Sequence, residues 1–310
     1  MAMRITDSYM SSSFLSNLQN NLSSLSKVQE QLSSLKEVSK SSDDPMLVSQ
    51  IIDLNNSIIQ NEEYIITIED SIDFSNMQDS ALDSATKSLS RIRTLIQQAS
   101  TGTVNDDDRK IIKAEVEAEI ETLTDALNTN FGGKYIFSGQ NTTTKPFSIE
   151  RDANGEMTGF LYSGTTDEAT SGNLSRRIAQ GVSIELKTDG RALLNEQGTD
   201  DDLGTFLAKT LTALETGDTD ALSGELLGRM DQEIGNIVTQ RTESGAIFNR
   251  LEAAKERNTS EKLNLESMRS DKQDIDLAEK FMEYTMQQTA YQASLAMGTK
   301  ILSTSILDYL

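Results

Sequence analysis

The chain has 310 residues, of which 36% are apolar, and its 28 basic and 49 acidic residues give a net charge of −21. This charge repels phosphate groups, and no dense cluster of Lys and Arg counters it, so neither nucleic acid nor a membrane surface is an expected partner. The chain has no Cys, His or Trp, which removes the thiolate and imidazole groups used in most transition-metal sites and in much nucleophilic and general base catalysis. No apolar run approaches the roughly 18 residues of a membrane span, and the N-terminus lacks the apolar core of a cleaved signal peptide.

The first predicted helix extends from about Phe14 to Leu35. Its apolar residues recur at steps of three and four, which is the spacing of one helix face. They are Leu15, Leu18, Leu22, Leu25, Val28, Leu32 and Leu35. The other face consists largely of Ser, Asn and Gln, and Ser and Asn are weak helix formers because their side chains hydrogen-bond to the nearby backbone. We therefore expect this helix to be poorly populated until its Leu stripe finds a partner.

A second helix is predicted to begin after the junction Ser42-Asp43-Asp44-Pro45, because Asp is a good N-cap and Pro is tolerated at the first helical position. The segment 46–100 contains no Pro or Gly, so its 55 residues would form an unbroken helix of roughly 80 Å. Its heptad-like apolar seam consists of Ile51, Leu54, Ile58, Ile65, Ile68, Ile72, Leu82, Leu89 and Ile96. The seam is interrupted at Asn61, Ser75, Asp79 and Thr86.

A return helix is predicted to follow Thr101-Gly102, with a cap at 105–108 and an end at Gly132-Gly133. The pattern then changes to the alternation of strands at 134–137, 147–150, 159–162 and 182–186, with a hairpin turn at 152–155 and a loop over 163–175. We interpret about 134–195 as a small β-rich domain inserted between helices, in which Tyr135 and Phe137 serve as hinge and core residues.

Three more helices are predicted, at about 202–215, 220–268 and 274–310. The seam of the second is diluted by Arg241, Lys255 and Lys262. We interpret gaps such as Asp79 and Arg241 as solvated positions or devices that fix helix register, and not as active-site groups. The last helix carries Leu277, Phe281, Tyr284, Tyr291, Leu295, Leu302 and Ile306 on its apolar side.

Acidic clusters precede several of these helices, at 106–108, at 200–202 and at Asp274 with Asp276. Carboxylates in such clusters could bind Mg²⁺ or Ca²⁺, but capping of the helices and placement near the positive end of the dipole is the preferred interpretation. The clusters also lack the spacing of a calcium loop. We expect no catalytic residue, no metal and no cofactor.

Five segments resemble the bacterial flagellin family. They are MRIT at 3–6, SSDDP at 41–45, GGKYIFSG at 132–139, SGAIFNRLE at 244–252 and the tail DIDLAEKFMEYTMQQTAYQASLAMGTKILSTSILDYL at 274–310. Within that family, the tail ending SILDYL and the sequence Met46-Leu47-Val48 after the junction look like the hook–filament junction subunits rather than filament flagellins. Leu35 stands where the family usually has Gly, which leaves the local turn after the first helix open.

The resemblance implies a mainly α fold, an elongated rod of long antiparallel helices with a small β-rich insert. It implies an inner assembly domain (1–45 with 272–310), a helical rod domain (46–133 with 200–271) and an outer β-rich domain (134–199). It also implies a structural, non-enzymatic subunit that is exported unfolded through the flagellar type III apparatus to the extracellular flagellum. The partners implied are further copies of the chain, hook-associated protein 1, flagellin and an export chaperone.

The candidate functional residues are those of the two terminal apolar stripes, which we expect to pair as a coiled coil only in the assembled tube. They are Leu15, Leu18, Leu22, Leu25, Leu32, Leu277, Phe281, Tyr284, Tyr291, Leu295, Leu302 and Ile306. An ordinary intramolecular core is the competing interpretation of such stripes. Two other functions stay open: a filament flagellin, and a secreted carboxylate hydrolase that would need a pocket around Glu150, Asp152 and Glu156.

Overall fold

The computed structural model describes residues 2–101, 104–153, 155–164, 172–194 and 202–307. The chain divides into two compact units, one of Met1–Gln60 with Ser260–Leu310 and the other of Asn61–Thr259. It is mainly α-helical with three small β-hairpins, which confirms the predicted fold class. The predicted division into inner, rod and outer domains is a functional one and stays a prediction.

The first unit contains the terminal helices α1 (Ala2–Ser34) and α8 (Leu277–Leu307), together with the beginning of α2 (Pro45–Ala99) and the end of α7 (Leu227–Gln273). The prediction that the first helix starts at Phe14 is wrong, because α1 already begins at Ala2. No Pro or Gly interrupts the residues before Phe14, so the helix extends through them although several are the weak helix formers Ser and Thr.

The helix α2 begins at Pro45, as predicted, and its 55 residues are unbroken. Asp44 caps it, since its Oδ1 atom accepts hydrogen bonds from the backbone N–H groups of Met46 at 3.1 Å and Leu47 at 3.0 Å. Asp43 closes the preceding turn by accepting the backbone N–H of Lys40 at 3.2 Å. These bonds satisfy donors that the first turn of a helix leaves without a partner.

In the second unit, the return helix α3 (Asp106–Leu127) is capped by Asn105, whose Oδ1 atom accepts the N–H of Asp108 at 2.8 Å. The prediction that Gly132 and Gly133 end this helix is wrong. The helix ends before Asn128, whose side chain instead exchanges two hydrogen bonds with the backbone of Phe147, at 2.9 and 3.0 Å. The two glycines, with φ of +57° and +83°, form the turn of a hairpin between β1 (Asn130–Phe131) and β2 (Lys134–Tyr135).

Two longer hairpins follow. The strands β3 (Phe147–Arg151) and β4 (Met157–Tyr162) pair antiparallel with Phe147 opposite Tyr162, and β5 (Leu174–Ala179) pairs antiparallel with β6 (Val182–Leu186). The predicted strand 134–137 is shorter than expected, because its last two residues turn into the core. The predicted loop 163–175 ends early, since β5 begins inside it; positions 154 and 165–171 lie outside the described residues.

Four short or medium segments connect the hairpins to α7. They are α4 (Arg191–Leu194), α5 (Leu203–Thr216), α6 (Thr219–Ala221) and a π-helical turn (Leu222–Leu226). Asp202 caps α5, as the pattern predicted, by accepting the N–H of Thr205 at 2.7 Å. The predicted single helix 220–268 is therefore interrupted near its start and ends five residues later than expected.

The core of the second unit is one continuous apolar cluster that takes residues from α2, α3, α5, α7 and the hairpins. The ring of Phe147 is central to it, since it lies 5.5 Å from the ring of Phe160 and 5.3 Å from that of Tyr162. Phe137 is fully buried beside them, as predicted for a core residue. The Tyr162 hydroxyl donates to the Phe137 carbonyl at 3.1 Å and so satisfies its own buried polar end.

Candidate assembly surface

The helices α1 and α8 pack against each other within the first unit. The residues that lose solvent exposure recur at alternating steps of three and four, which is the seam of a coiled coil. The seam positions on α1 are Ser11, Phe14, Leu18, Asn21, Leu25, Val28 and Leu32, and those on α8 are Lys280, Tyr284, Gln287, Tyr291, Ser294 and Gly298. Gln31 is buried as well, with its side chain donating to the Glu37 carbonyl at 2.7 Å. The pair is antiparallel, because Phe14 lies against Gly298 near one end while Glu37 lies against Lys280 near the other.

Two features fix the alignment of this seam. Asn21 donates from Nδ2 to the Ser294 hydroxyl at 3.1 Å, and that hydroxyl donates in turn to the Ala290 carbonyl at 2.8 Å. A Cβ atom on Gly298 would overlap the ring of Phe14, so the absence of a side chain there lets the two helices approach closely. Polar pairs at seam positions fix register at some cost in stability.

The chain leaves α1 through Leu35, which has a left-handed backbone with φ of +59°. This conformation is common at the residue after a helix but strongly prefers Gly. The residues beyond it pair with the segment before α8: Glu37 donates its N–H to the Gln273 carbonyl at 2.8 Å, and Ile275 donates to the Leu35 carbonyl at 3.4 Å. The sequence did not determine the turn after α1; in the structure, α1 ends at a residue with a left-handed backbone conformation.

A charged contact reinforces the same place. Lys280 of α8 lies 3.1 Å from Glu37 and 3.4 Å from Glu283. Partial burial alone would lower the pKa of Lys280, but the hydrogen bond and the negative charge of Glu37 outweigh it and raise this pKa above its usual value. Lys280 is therefore held as a cation that ties α8 to the chain leaving α1.

Ten of the twelve residues predicted for the assembly surface fall into two sets. Five are half-buried in the α1–α8 seam: Leu18, Leu25, Leu32, Tyr284 and Tyr291. Five are exposed, and we call them the outer face: Leu15, Leu22, Leu277, Phe281 and Leu295. The side chains of Leu302 and Ile306, on the last turns of α8, lie outside the described residues. Whether either set contacts another subunit stays a prediction.

Four residues of the outer face lie along one flank of the helix pair. Leu15, Leu22, Phe281 and Leu295 each follow a seam position by one residue, and in an antiparallel pair such positions on both helices border the same flank. Neither 8–26 of α1 nor 284–299 of α8 contains a charged residue, although 25% of the chain is charged. Leu15, Leu22 and Leu295 are exposed within these uncharged stretches, which is typical of a protein interface.

The helix-start junction is on the surface as well. Ser42, Asp43, Asp44 and Pro45 are all exposed, and the two acids are used as caps and turn closures as described above. A cleft lined by Lys36, Val38, Val48 and Ile51 lies beside it within the same unit.

The acidic clusters act as helix caps or pair with neighbouring cations. Asp106 contacts Arg109, Asp107 lies 3.2 Å from Lys110, and Asp276 caps α8 by accepting the N–H of Ala278 at 2.8 Å. Asp200 and Asp201 lie outside the described residues. In the described ranges, no group of three or more acidic residues is arranged to hold a metal ion, and no helix is long and apolar enough to cross a membrane.

The acids considered for a hydrolase do not form a pocket. Glu150, Asp152 and Glu156 are all exposed around the β3–β4 hairpin. Asp152 closes the turn by accepting the N–H of Glu156 at 2.9 Å, and Glu156 pairs with Lys113 of α3 at 3.0 Å. Their role is therefore to fold the hairpin and attach it to α3.

Sequence reasoning missed three exposed methionines on α8, Met282, Met286 and Met297. It also missed the two seam features at Asn21 and Gly298. The methionines could have been found from their spacing of 4 and 11 residues, which keeps side chains on one side of a helix. The contact of Asn21 with Ser294 and the close approach of Gly298 to Phe14 could not have been found from sequence. Both depend on which residue of the partner helix lies opposite.

Comparisons with known proteins agree at both ends of the chain. The family model of the bacterial flagellin N-terminal helical region matches residues 5–142, and that of the bacterial flagellin C-terminal helical region matches residues 227–310. The flagellar hook-associated protein 3 of Escherichia coli is 27% identical over 86% of this chain and 87% of its own length. The flagellin of Bacillus subtilis is 26% identical over 74% of this chain and 73% of its own length. A putative flagellar hook-associated protein of Vibrio parahaemolyticus has the same fold, with a TM-score of 0.64 over 75% of this chain and all of its own, at 20% identity.

Proposed function

Because the chain belongs to the bacterial flagellin family, we propose that it is a structural subunit of the bacterial flagellum at the hook–filament junction. In this role it links hook-associated protein 1 to flagellin and is needed for motility. The observation that carries the proposal is the exposed apolar outer face on the pair of terminal helices, in a chain whose two ends are the parts that match the family. A relative named for the hook-associated position matches more of the chain than the flagellin does.

The geometry suits a subunit that must stay separate until it is placed. A net charge of −21 keeps free copies apart, whereas the flank of the α1–α8 pair carries no charge to oppose contact. The side chains of the outer face are about half exposed, so burial of each contributes about 1 kcal/mol to association before the costs of ordering. The inner assembly domain in this proposal comprises 1–45 and 272–310, the rod domain 46–133 and 200–271, and the outer domain 134–199.

The proposed partners are copies of the chain in the tube, hook-associated protein 1 on one side, flagellin on the other, and a cytosolic export chaperone before assembly. The proposed location is extracellular, reached through the flagellar type III apparatus with the N-terminal segment uncleaved. Weak intrinsic helix propensity in α1, which is rich in Ser and Asn, favours passage in an unfolded state.

The test is deletion of the gene followed by electron microscopy. We expect cells that keep hooks, carry no filaments, release flagellin into the medium and do not swim, with each defect restored by the wild-type gene. Deletion that leaves full filaments would contradict the proposal.

The rival of the same class, a filament flagellin, predicts a different result in vitro. A filament flagellin should elongate into long filaments by itself, whereas we expect this chain to bind at hook ends and not to elongate. A hydrolase is not favoured, since the family is structural and the acids it would require are exposed around a hairpin.

A further inference from the structure

Three methionines on α8 face away from α1. Met282, Met286 and Met297 are 65%, 68% and 67% exposed, and we call them the methionine face. With about 100° of rotation per residue, their spacing places them within about 60° of one another around the helix. The seam positions Tyr291 and Gly298 lie about 100° or more from all three, whereas Ser294 lies about 60° from Met297. Met282 and Met286 therefore lie away from the seam, and Met297 borders it with most of its side chain exposed. All three lie about 100° or more from Phe281 and Leu295 of the outer face.

Met side chains exposed to this degree are open to oxidation. The chain has no Cys, so no thiol competes for an oxidant such as hydrogen peroxide, and the thioethers of its 11 Met are the sulfur atoms available. The buried residues Met157 and Met230, at 7% and 0% exposure, provide an internal comparison. In the reaction, the sulfur lone pair attacks one peroxide oxygen, the O–O bond breaks, and an S=O bond forms while water leaves. Sulfur loses two electrons and the peroxide gains them.

Oxidation at this position would change what α8 can be buried against. Residues 284–299, which include Met286 and Met297, carry no charge, so a second copy can approach this stretch of a strongly acidic chain with little repulsion. Met282 lies just before it, next to Glu283. A thioether suits such a contact because it is apolar and adaptable, whereas a sulfoxide brings a strong dipole that must keep its hydrogen bonds to water or be buried without them.

We propose that Met282, Met286 and Met297 form an oxidation site for hydrogen peroxide and related oxidants, which prevents α8 from packing against a second copy of the chain. This inference rests on the proposed function, because the packing it blocks is that of the assembled junction. The helix pair itself keeps its structure on oxidation, since the methionine face does not contribute to the seam with α1.

The experiment uses the full chain, reduced or treated with hydrogen peroxide, and added to isolated hooks that carry hook-associated protein 1. Flagellin is then supplied and filament growth is counted by electron microscopy, while peptide mass spectrometry locates the sulfoxides and circular dichroism monitors helix content. We expect sulfoxide at the methionine face before Met157 and Met230, unchanged helix content, and a loss of filament growth of at least about tenfold, as for burial of unsatisfied polar groups.

Two matched variants identify the site. The triple variant Met282→Leu, Met286→Leu, Met297→Leu should support filament growth before and after peroxide. The control variant Met46→Leu, Met77→Leu, Met268→Leu removes three other exposed methionines and should be inhibited like the wild type.

Three results would overturn the inference: full filament growth by wild type carrying the three sulfoxides, a fall in helix content on oxidation, or oxidation of the methionine face no faster than of Met157 and Met230. A reduced wild type that never supports filament growth would instead contradict the proposed function, and the order of oxidation would still test the site.

Discussion

Arg241 of α7 lies against Asp79 of α2, with its Nε atom donating to Oδ1 at 2.6 Å and its Nη2 atom donating to Oδ2 at 3.1 Å. The same guanidinium also donates from Nη1 to Asp83 at 2.7 Å. The hydrogen bond to Asp79 raises the pKa of Arg241 above its usual value. Each residue was predicted as a gap in the apolar seam of its own helix. The structure shows that the gap in α2 lies opposite the gap in α7, where the two side chains meet. A bidentate pair of this kind fits only one alignment of α2 and α7.

Arg241→Met should lower the free energy of unfolding by about 1 kcal/mol or less. The substitution leaves the carboxylates of Asp79 and Asp83 without their shared cation, but the contact is partly solvated, which keeps the loss small. Urea denaturation followed by circular dichroism measures this change. The control Lys87→Met removes a more exposed partner of Asp83 and should have no measurable effect. Equal effects of the two substitutions would count against a role for Arg241 in fixing the alignment.

The long helices could be predicted because their signals are local. No Pro or Gly interrupts α2, and Asp44 with Pro45 marks its start in sequence and structure alike. The strand β5 could not be predicted, since Arg176 and Arg177 occupy both of its faces and hide the alternation. The end of α3 depends on Asn128 meeting Phe147, a contact with a residue 19 positions away that no local pattern contains.

The sequence predicted which residues form the candidate surface, but not which of them face the partner helix. Leu15, Leu18, Leu22 and Leu25 form a stripe wider than one coiled-coil seam needs, and sequence alone does not tell which half faces the partner. The structure places Leu18 and Leu25 in the seam and leaves Leu15 and Leu22 outside it. The division follows from which residues of α8 lie opposite, beginning with the contact of Phe14 and Gly298.

Leu35→Gly should stabilise the end of α1 by up to about 1 kcal/mol, because Gly adopts positive φ without the steric cost that Leu bears. Thermal unfolding followed by circular dichroism measures the effect. The matched control Ser33→Gly places the same residue in the last turn of the helix and should destabilise by about 0.5 kcal/mol or less. A Leu35→Gly variant that is less stable than wild type would show that the Leu35 side chain contributes packing larger than its backbone strain.

Asn21→Leu should raise the thermal stability of the α1–α8 pair, because an apolar residue replaces a polar one at a seam position. It should also allow the two helices to adopt more than one alignment, since the polar contact that fixes register is lost. The absence of native Cys allows spin labels at Gln19→Cys and Gln292→Cys, both exposed. Pulsed electron resonance should give one narrow distance in wild type and a wider distribution in the variant. Asn17→Leu, outside the seam, is the control and should leave the distribution narrow. A narrow distribution for Asn21→Leu as well would show that register is fixed elsewhere.

Asp189 should make the second unit sensitive to acid. Burial alone would raise the pKa of this carboxyl, but hydrogen bonds from the side chain and backbone of Arg191 outweigh it and hold the pKa below its usual value. A depressed folded-state pKa contributes stability that is present above the unfolded value of about 4 and is lost as pH falls through the folded value.

The stability difference between wild type and Asp189→Asn should therefore shrink as the pH is lowered below about 4. Urea titrations at a series of pH values measure it. Asp107→Asn, at an exposed acid on α3, is the control for removal of one negative charge. A difference that is constant with pH would mean that Asp189 acts through its shape and not through its charge.

Substitutions in the outer face and in the seam should differ in their effects on helix content and filament growth. Leu15→Ser with Leu22→Ser removes exposed side chains, so the α1–α8 pair should keep its helix content and melting behaviour. Filament growth on hooks should fall at least about tenfold, since two apolar contacts worth about 1 kcal/mol each are lost. Leu18→Ser with Leu25→Ser removes seam contacts and should reduce both helix content and filament growth, because the pair itself is weakened. The control is Ile111→Ser, which removes an exposed apolar side chain on α3, far from the terminal helices in sequence. It should leave helix content and filament growth unchanged. If the Leu15 and Leu22 substitutions leave filament growth intact while those at Leu18 and Leu25 abolish it, the outer face is not the surface on which the junction assembles.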